Sequence, residues 1–230
     1  MKKAFIGIDA SLISTVIHIS IEDQHHLLCF RKDFKETKWT KMLDFVDFHP
    51  ISYTEMPKSE KDFIKFTAVE RQKLQDYADI TKLMIEKIKE ITKGCELYVG
   101  LENYSYSSVG SSVLDIVAFG TNLRQQLTTL DAKAYFLIPP TQLKSNWAKL
   151  VYNADKKGMY RNNDGVAGGS FKKIQMMTGI IESKLELHPK FKKFLIDNWS
   201  ELSVIKTIGK PIDDISDAVI LNQIIQSIYK

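Results

Sequence analysis

Short apolar runs open the chain. Residues 4–9 (AFIGID) form an apolar stretch that ends on an acid, 15–21 (TVIHISI) alternate around β-branched residues, and 25–30 add a third run through Leu27, Leu28 and Cys29. Runs of this length and make-up predict three strands in an antiparallel meander. From Arg31 to about Ser59 the period is lost, and Trp39, Phe45, Phe48 and Tyr53 are scattered among Pro50 and Pro57, so a long connection elaborating the domain is expected there. Residues 66–93 place Val69, Leu74, Tyr77, Ile80, Leu83, Met84, Ile88 and Ile91 at helical spacing, closed by Lys93 and Gly94. LYVGLE at 97–102 predicts a buried strand, again ending on an acid. A helix at about 113–130 follows, with Leu114, Val117, Ala118, Leu123 and Leu127 toward the core, and then a strand at 134–140 stopped by two prolines. A helix from near Thr141, a glycine-rich loop at 153–170, helices at about 171–185 and 190–199, and a last helix from about Asp213 complete the pattern.

Three strands, helix, strand, helix, strand and then helices predict a mixed α/β sheet of five strands with helices on both faces, the order of the ribonuclease H fold. One domain is expected over 1–230, with the elaborated connection at about 31–60 and a basic glycine-rich loop at about 153–170. In such a sheet the first strand and the strand ending at Glu102 lie side by side and parallel, which brings Asp9 and Glu102 to one crevice. The last helix begins PIDDISDA, so Asp214 and Asp217 share a face of its first turn. Asp213 fits a helix cap, and its i,i+4 relation to Asp217 leaves it as an alternative ligand. Clustered carboxylates suit hard, oxygen-seeking cations such as Mg²⁺ or Mn²⁺. A pair of such ions activates water and stabilises the leaving oxygen in phosphodiester hydrolysis. Without a cation the cluster repels itself.

The segments FIGIDASLISTVIHI, LYVGLENYSYSS, IPPTQLKSNWAK and DDISDAVILNQII resemble the RuvC-like Holliday-junction resolvases of the ribonuclease H-like superfamily, above all their phage and viral members. The resemblance spans most of the chain apart from the 31–60 connection and the 153–170 loop. It implies a homodimer that binds branched DNA, nicking two strands of a four-way junction symmetrically, in DNA recombination and repair. It further implies that Asp9, Glu102, Asp214 and Asp217 hold two Mg²⁺ ions, with Mn²⁺ expected to substitute. Lys144, after the proline-ended strand, and Lys172 or Lys173, after the glycine-rich stretch, match lysines that the family places at its active site.

Charge sharpens this picture. The net charge of +4 is small, but residues 141–193 hold 11 Lys+Arg against 4 acids, a segment of +7, and leave −3 for the rest. A basic segment beside an acidic cluster is the arrangement expected for holding a phosphate backbone over a nuclease site. Lys144, Lys149, Lys156, Lys157, Arg161, Lys172 and Lys173 are therefore candidate DNA contacts. Tyr104 and Tyr106, in a serine-rich turn after Glu102, are candidates to stack on bases or wedge between them, and pack under the turn in the alternative. Trp147 and Phe171 fit the core.

With 44% apolar residues and few glycines and prolines, the chain is no disordered tail. Cys29 and Cys95 match no metal or redox spacing and fit reduced packing positions. No window approaches 18 uninterrupted apolar residues and no secretory signal opens the chain, so a cytoplasmic protein of a bacterial or infected cell is expected, with no membrane partner. The same acids would serve a flap, terminase or RNA–DNA hybrid nuclease. An actin-like ATPase also opens on a strand ending in Asp, but its glycine-rich nucleotide motifs are missing, so no nucleotide cofactor is expected. A non-catalytic junction-binding protein is the remaining alternative.

Overall fold

The computed structural model describes residues 1–32, 34–55, 61–103, 112–152, 172–205 and 208–229. The opening meander is β1 (Lys2–Asp9), β2 (Ser14–Ile21) and β3 (Gln24–Lys32). A tight turn at Glu22 and Asp23 sets the β2–β3 register, with Ser20 opposite His25. There follow α1 (Lys38–Met42), β4 (Val46–Ile51), α2 (Phe63–Ile91), β5 (Cys95–Glu102), α3 (Ser112–Leu127), β6 (Ala134–Ile138), α4 (Pro140–Tyr152), α5 (Lys173–Glu182), α6 (Pro189–Leu202) and α7 (Ile212–Tyr229). The sheet order is β4-β3-β2-β1-β5-β6. β2 runs antiparallel to both its neighbours, and every other adjacent pair is parallel.

The sheet thus has six strands where five are predicted, and the connection at 31–60 contributes the extra one. β4 pairs with β3 at the sheet's edge, where Pro50 is tolerated because the missing amide need not serve a second neighbour. Only Val46 and Ile51 of this strand are fully buried. Without β4, the strand order and directions are those of the ribonuclease H fold. Among the described residues no helix is long and apolar enough to cross a membrane.

Helices cover both faces. On one, α2 and α3 pack Tyr77, Met84, Ile88, Phe119 and Leu123 against Ile6, Ile8, Ile17, Ile19 and Val99. On the other, α4 to α7 bring Trp147, Met176, Phe191, Ile215 and Val219 over Val16, Leu27 and Cys29. Leu114 and Val117, expected in the core, are instead 78% and 40% exposed. The inward stripe of α3 is the i,i+4 series Asp115, Phe119, Leu123 and Leu127. Asp115 is held there by Lys73 of α2, a lysine only 4% exposed, whose Nζ lies 2.6 Å from Asp115 Oδ1 and 2.7 Å from Glu70 Oε2. That ion pair fixes the rotation of α3 and turns Leu114 and Val117 outward.

α7 is buried from Ile212 to Gln226 with the sole exception of Asp213. Gly7 and Gly100 face each other across β1 and β5, and together they open the groove in which this helix lies. A Cβ on Gly7 would collide with the Ala218 carbonyl and the Asn222 amide, and one on Gly100 would collide with Ile225. Polar bonds then set the register along the groove. Asn222 Nδ2 donates to the carbonyls of Phe5 and His18, Ser20 Oγ donates to Asn222 Oδ1 at 2.9 Å, and Gln226 Nε2 donates to Ser20 Oγ at 2.9 Å. Buried groups with few alternative partners hold a helix in one position more strictly than apolar contacts do. The first turn of α7 is thereby brought to the C-terminal ends of β1 and β5.

Candidate metal centre

Three acids meet where those elements end. Asp9 closes β1 and Glu102 closes β5, one step beyond the paired residues Ile8 and Leu101. Asp217 reaches them from α7, and the three offer carboxylate oxygens that all lie within 4.8 Å of one another. Asp217 is only 3% exposed. Asp214, also expected as a ligand, is buried one turn earlier, outside this triangle. Asp213 lies at the edge of the group and is partly buried.

Two lysines attend the triangle. Lys173 Nζ pairs with Asp217 Oδ2 and lies 3.7 Å from Asp213 Oδ2. Of the two residues expected to fill this role, Lys173 is the one that reaches the carboxylates. Lys172 is exposed one residue earlier, its backbone amide donating to Gln175 Oε1 at 2.7 Å. Lys144, on the first turns of α4, is half-buried, and its charge acts on Glu102. Trp147 sets α4 against α5. Its Nε1 donates to the Met176 carbonyl at 3.1 Å, and its ring lies where a side chain on Gly179 would have to go. This close packing presents both lysines at the same end of the sheet.

The electrostatics are those of too many acids in too little water. Burial, with repulsion from Glu102, Asp217 and Asp214, pushes the Asp9 carboxyl well above its usual range. Glu102 rises to about 7, through burial first and then Asp217, with Lys173 and Lys144 partly opposing. Asp217 rises to about 6 through burial, even with Lys173 beside it. Burial also raises Asp213. For Lys173, burial favours the neutral form, but Asp217 and Asp213 outweigh it and hold the ammonium protonated far above its ordinary range. Asp213 Oδ1, Asp214 Oδ2 and Asp217 Oδ1 are buried with no hydrogen-bond partner. Oxygen donors that are close, buried and unsatisfied fit a hard divalent cation, which would supply both the missing partner and the missing charge.

The other candidates fall elsewhere. Lys149 is exposed on α4. Tyr104, Tyr106, Lys156, Lys157, Arg161 and Phe171 lie outside the described residues. The basic segment 141–193 does not form one surface among the described residues. Lys144 and Lys173 flank the carboxylates, whereas Lys192 and Lys193 line a cleft with Glu22, Asp23, His25 and Gln226 at the far end of the sheet.

Two features escape sequence reasoning. Lys210 Nζ lies 3.1 Å from Asp214 Oδ1 and donates to Ser11 Oγ at 2.8 Å. Its only trace in the sequence is a position four residues before Asp214. The second is a histidine cluster. His18 Nε2 and His25 Nδ1 are 3.1 Å apart, and the ring of His188 lies 5.5 and 5.4 Å from theirs. The hairpin register could have paired His18 with His25, but His188 arrives only through the docking of α6.

No family model and no curated protein matches the sequence. Among solved structures, the crystal structure of the yeast mitochondrial Holliday junction resolvase is 13% identical, with a TM-score of 0.43 over 95% of this chain and 75% of that chain.

Proposed function

We propose that the protein is a divalent-metal-dependent endonuclease acting on branched DNA, with the four-way junction as its preferred substrate. The observation that carries the reading is the convergence of Asp9, Glu102 and Asp217, from three separate elements, onto one point at the strand ends. The choice of junction DNA rests on the RuvC-like character of the segments that bear these acids.

On this reading Asp9, Glu102 and Asp217 hold Mg²⁺ or Mn²⁺, and the ion supplies Lewis acidity and an activated water for phosphodiester hydrolysis. The residues of the chain do the rest. The carboxylates fix where the scissile phosphate sits relative to the sheet. Lys173 keeps Asp217 ionised in a buried setting and stands ready to offset charge that develops on the phosphate. Lys144, acting on Glu102 from the neighbouring helix, adds a second positive charge beside the phosphate path.

A homodimer accompanies this reading, because a junction offers two equivalent strands. Leu114 and Val117 of α3, and Phe63, Ile64 and Phe66 of α2, are exposed apolar side chains of the kind a second copy would cover.

The test is cleavage of a labelled four-way junction, a flap and an RNA–DNA hybrid by purified protein with Mg²⁺. Paired nicks in the junction, abolished by Asp9→Asn or Asp217→Asn, are expected. Unaltered cleavage by either variant would sink the site. Preference for the flap or hybrid would move the protein to another branch of ribonuclease H-like nucleases. Tight junction binding without nicking under any divalent ion would make it a binding module.

A further inference from the structure

Lys210 stands just before α7 and ties together the two segments that carry the acids. Its ammonium bonds Ser11 Oγ and pairs with Asp214 Oδ1, while its carbonyl accepts a hydrogen bond from Arg31 Nη1 at 2.9 Å. Ser11 follows Asp9 by two residues and is itself fixed, donating to the Ser14 carbonyl at 2.8 Å and accepting the Ser14 amide at 3.2 Å. Of the four acids expected as ligands, Asp214 alone lies outside the triangle, and Asp214 alone has Lys210 for a partner.

We infer that Lys210 is a positioning residue that neutralises Asp214 and keeps it out of the ligand set, so that the protein free of DNA takes one divalent ion, on Asp9, Glu102 and Asp217. The inference rests on the metal-dependent reading above and specifies its stoichiometry. An ammonium held between a serine and a buried carboxylate offsets the single negative charge of Asp214, without the reluctant dehydration of Mg²⁺. A second ion at Asp214 would have to sit beside a like charge or displace it. Lys210 and Lys173 each leave their carboxylate one unpartnered oxygen, Asp214 Oδ2 and Asp217 Oδ1. Only Asp217 belongs to the triangle, where Asp9 and Glu102 complete a site that lets an ion take Asp217 without stripping its lysine.

The experiment is a titration of Mn²⁺ into the full chain without DNA, at about pH 7.5, with free Mn²⁺ read by electron paramagnetic resonance. One ion per wild-type chain is expected. Asp214→Asn should keep that ion with its affinity changed by less than about threefold, whereas loss of a true ligand would exceed about tenfold. Lys210→Met should take a second ion, and Lys210→Arg should stay at one. Two ions on the wild-type chain, or a tenfold loss in Asp214→Asn, overturns the inference. Should Lys210→Met not fold, those two measurements still decide it. One ion on both the wild type and Lys210→Met removes the role of Lys210 and leaves the three-carboxylate site standing. No Mn²⁺ on the wild type overturns both.

Discussion

At one end of β1 and β2 three carboxylates meet, and toward the other end three imidazoles do. Both clusters are largely shut off from water, and burial drives their members toward neutrality, the acids upward and His18 and His188 downward. They differ in what a neutral or charged member can offer its neighbours. An imidazole carries one donor and one acceptor, so His18 and His25 share a hydrogen bond, and His188 Nδ1 accepts the Phe191 amide at 3.2 Å and caps α6. An ionised carboxylate only accepts. Three of them cannot satisfy one another, and Asp217 Oδ1, with Asp213 Oδ1 and Asp214 Oδ2 of the same helix turn, is left over. Amphoteric groups can pair among themselves, as His18 Nε2 and His25 Nδ1 do even though His18 Nδ1 stays without a partner, and serve packing, while a cluster of acceptors alone calls for a cation from outside.

The comparison can be broken most severely through Gly7. A side chain there would push α7 off β1 and carry Asp217 away from Asp9 and Glu102, and would reach the histidine cluster only at His18, which pairs with Gly7 and accepts from Asn222 of α7. Gly7→Val is expected to cost about 3 kcal/mol or more. A denaturant melt should show the loss, together with lost Mn²⁺ binding. A variant that melts like the wild type would mean that α7 does not need the glycine groove.

The second test separates the ends by pH. Glu102 and Asp217 have folded-state pKa values raised to about 7 and about 6, so the native state holds protons that the unfolded chain has released. Without metal, their contribution to stability should therefore fall as pH rises from about 4.5 to about 7, by on the order of 1–3 kcal/mol. Mg²⁺, which binds the ionised form, should restore it at the upper end. Because the buried histidines act in the opposite sense over part of this window, the measurement is the difference between wild type and Glu102→Gln in metal-free thermal melts, which should shift in favour of the variant as pH rises. A difference that does not change with pH would contradict the assignment of these carboxylates to a crowded, cation-seeking site.

Much of the carboxylate end is legible in the sequence, and the reason is physical. Strand period, strand order and the three-residue spacing in α7 place Asp9, Glu102 and Asp217 without any knowledge of side-chain packing. What stays hidden depends on rotation and docking. The choice between Lys172 and Lys173 needs the phase of α5, which follows from how Gly179 seats against Trp147. The outward turn of Leu114 and Val117 depends on Lys73 and Asp115, a buried pair that period arguments discount because they expect charges outside. β4 is hidden by Pro50 and by its sparse apolar residues, features an edge strand tolerates and a central one does not. The −3 and +7 portions of the chain are legible as well, yet Lys192 and Lys193 fold to the opposite end from Asp9, so charge along the chain is a poor guide to charge across the surface.

The smallest effect belongs to the histidine end and has the opposite sign. Burial, with His188 and His25 nearby, holds His18 well below its usual range, and burial and His25 take His188 down to about 3. The unfolded chain then binds protons that the native state refuses, so this contribution is whole above about pH 6.5 and is lost as pH falls toward about 3. By about pH 5 the loss should be on the order of 1–2 kcal/mol for His188. Glutamine at position 188 can still offer an oxygen to the Phe191 amide but cannot take up a proton, so His188→Gln should keep the α6 cap and soften the acid limb without touching the limb above pH 6.5. Thermal melts of the metal-free protein between about pH 4 and 8 would show this as a selective gain on the acid side. Equal shifts on both limbs would mean that His188 acts only through packing, and the contrast between a self-pairing cluster and one of acceptors alone would then rest on the carboxylates.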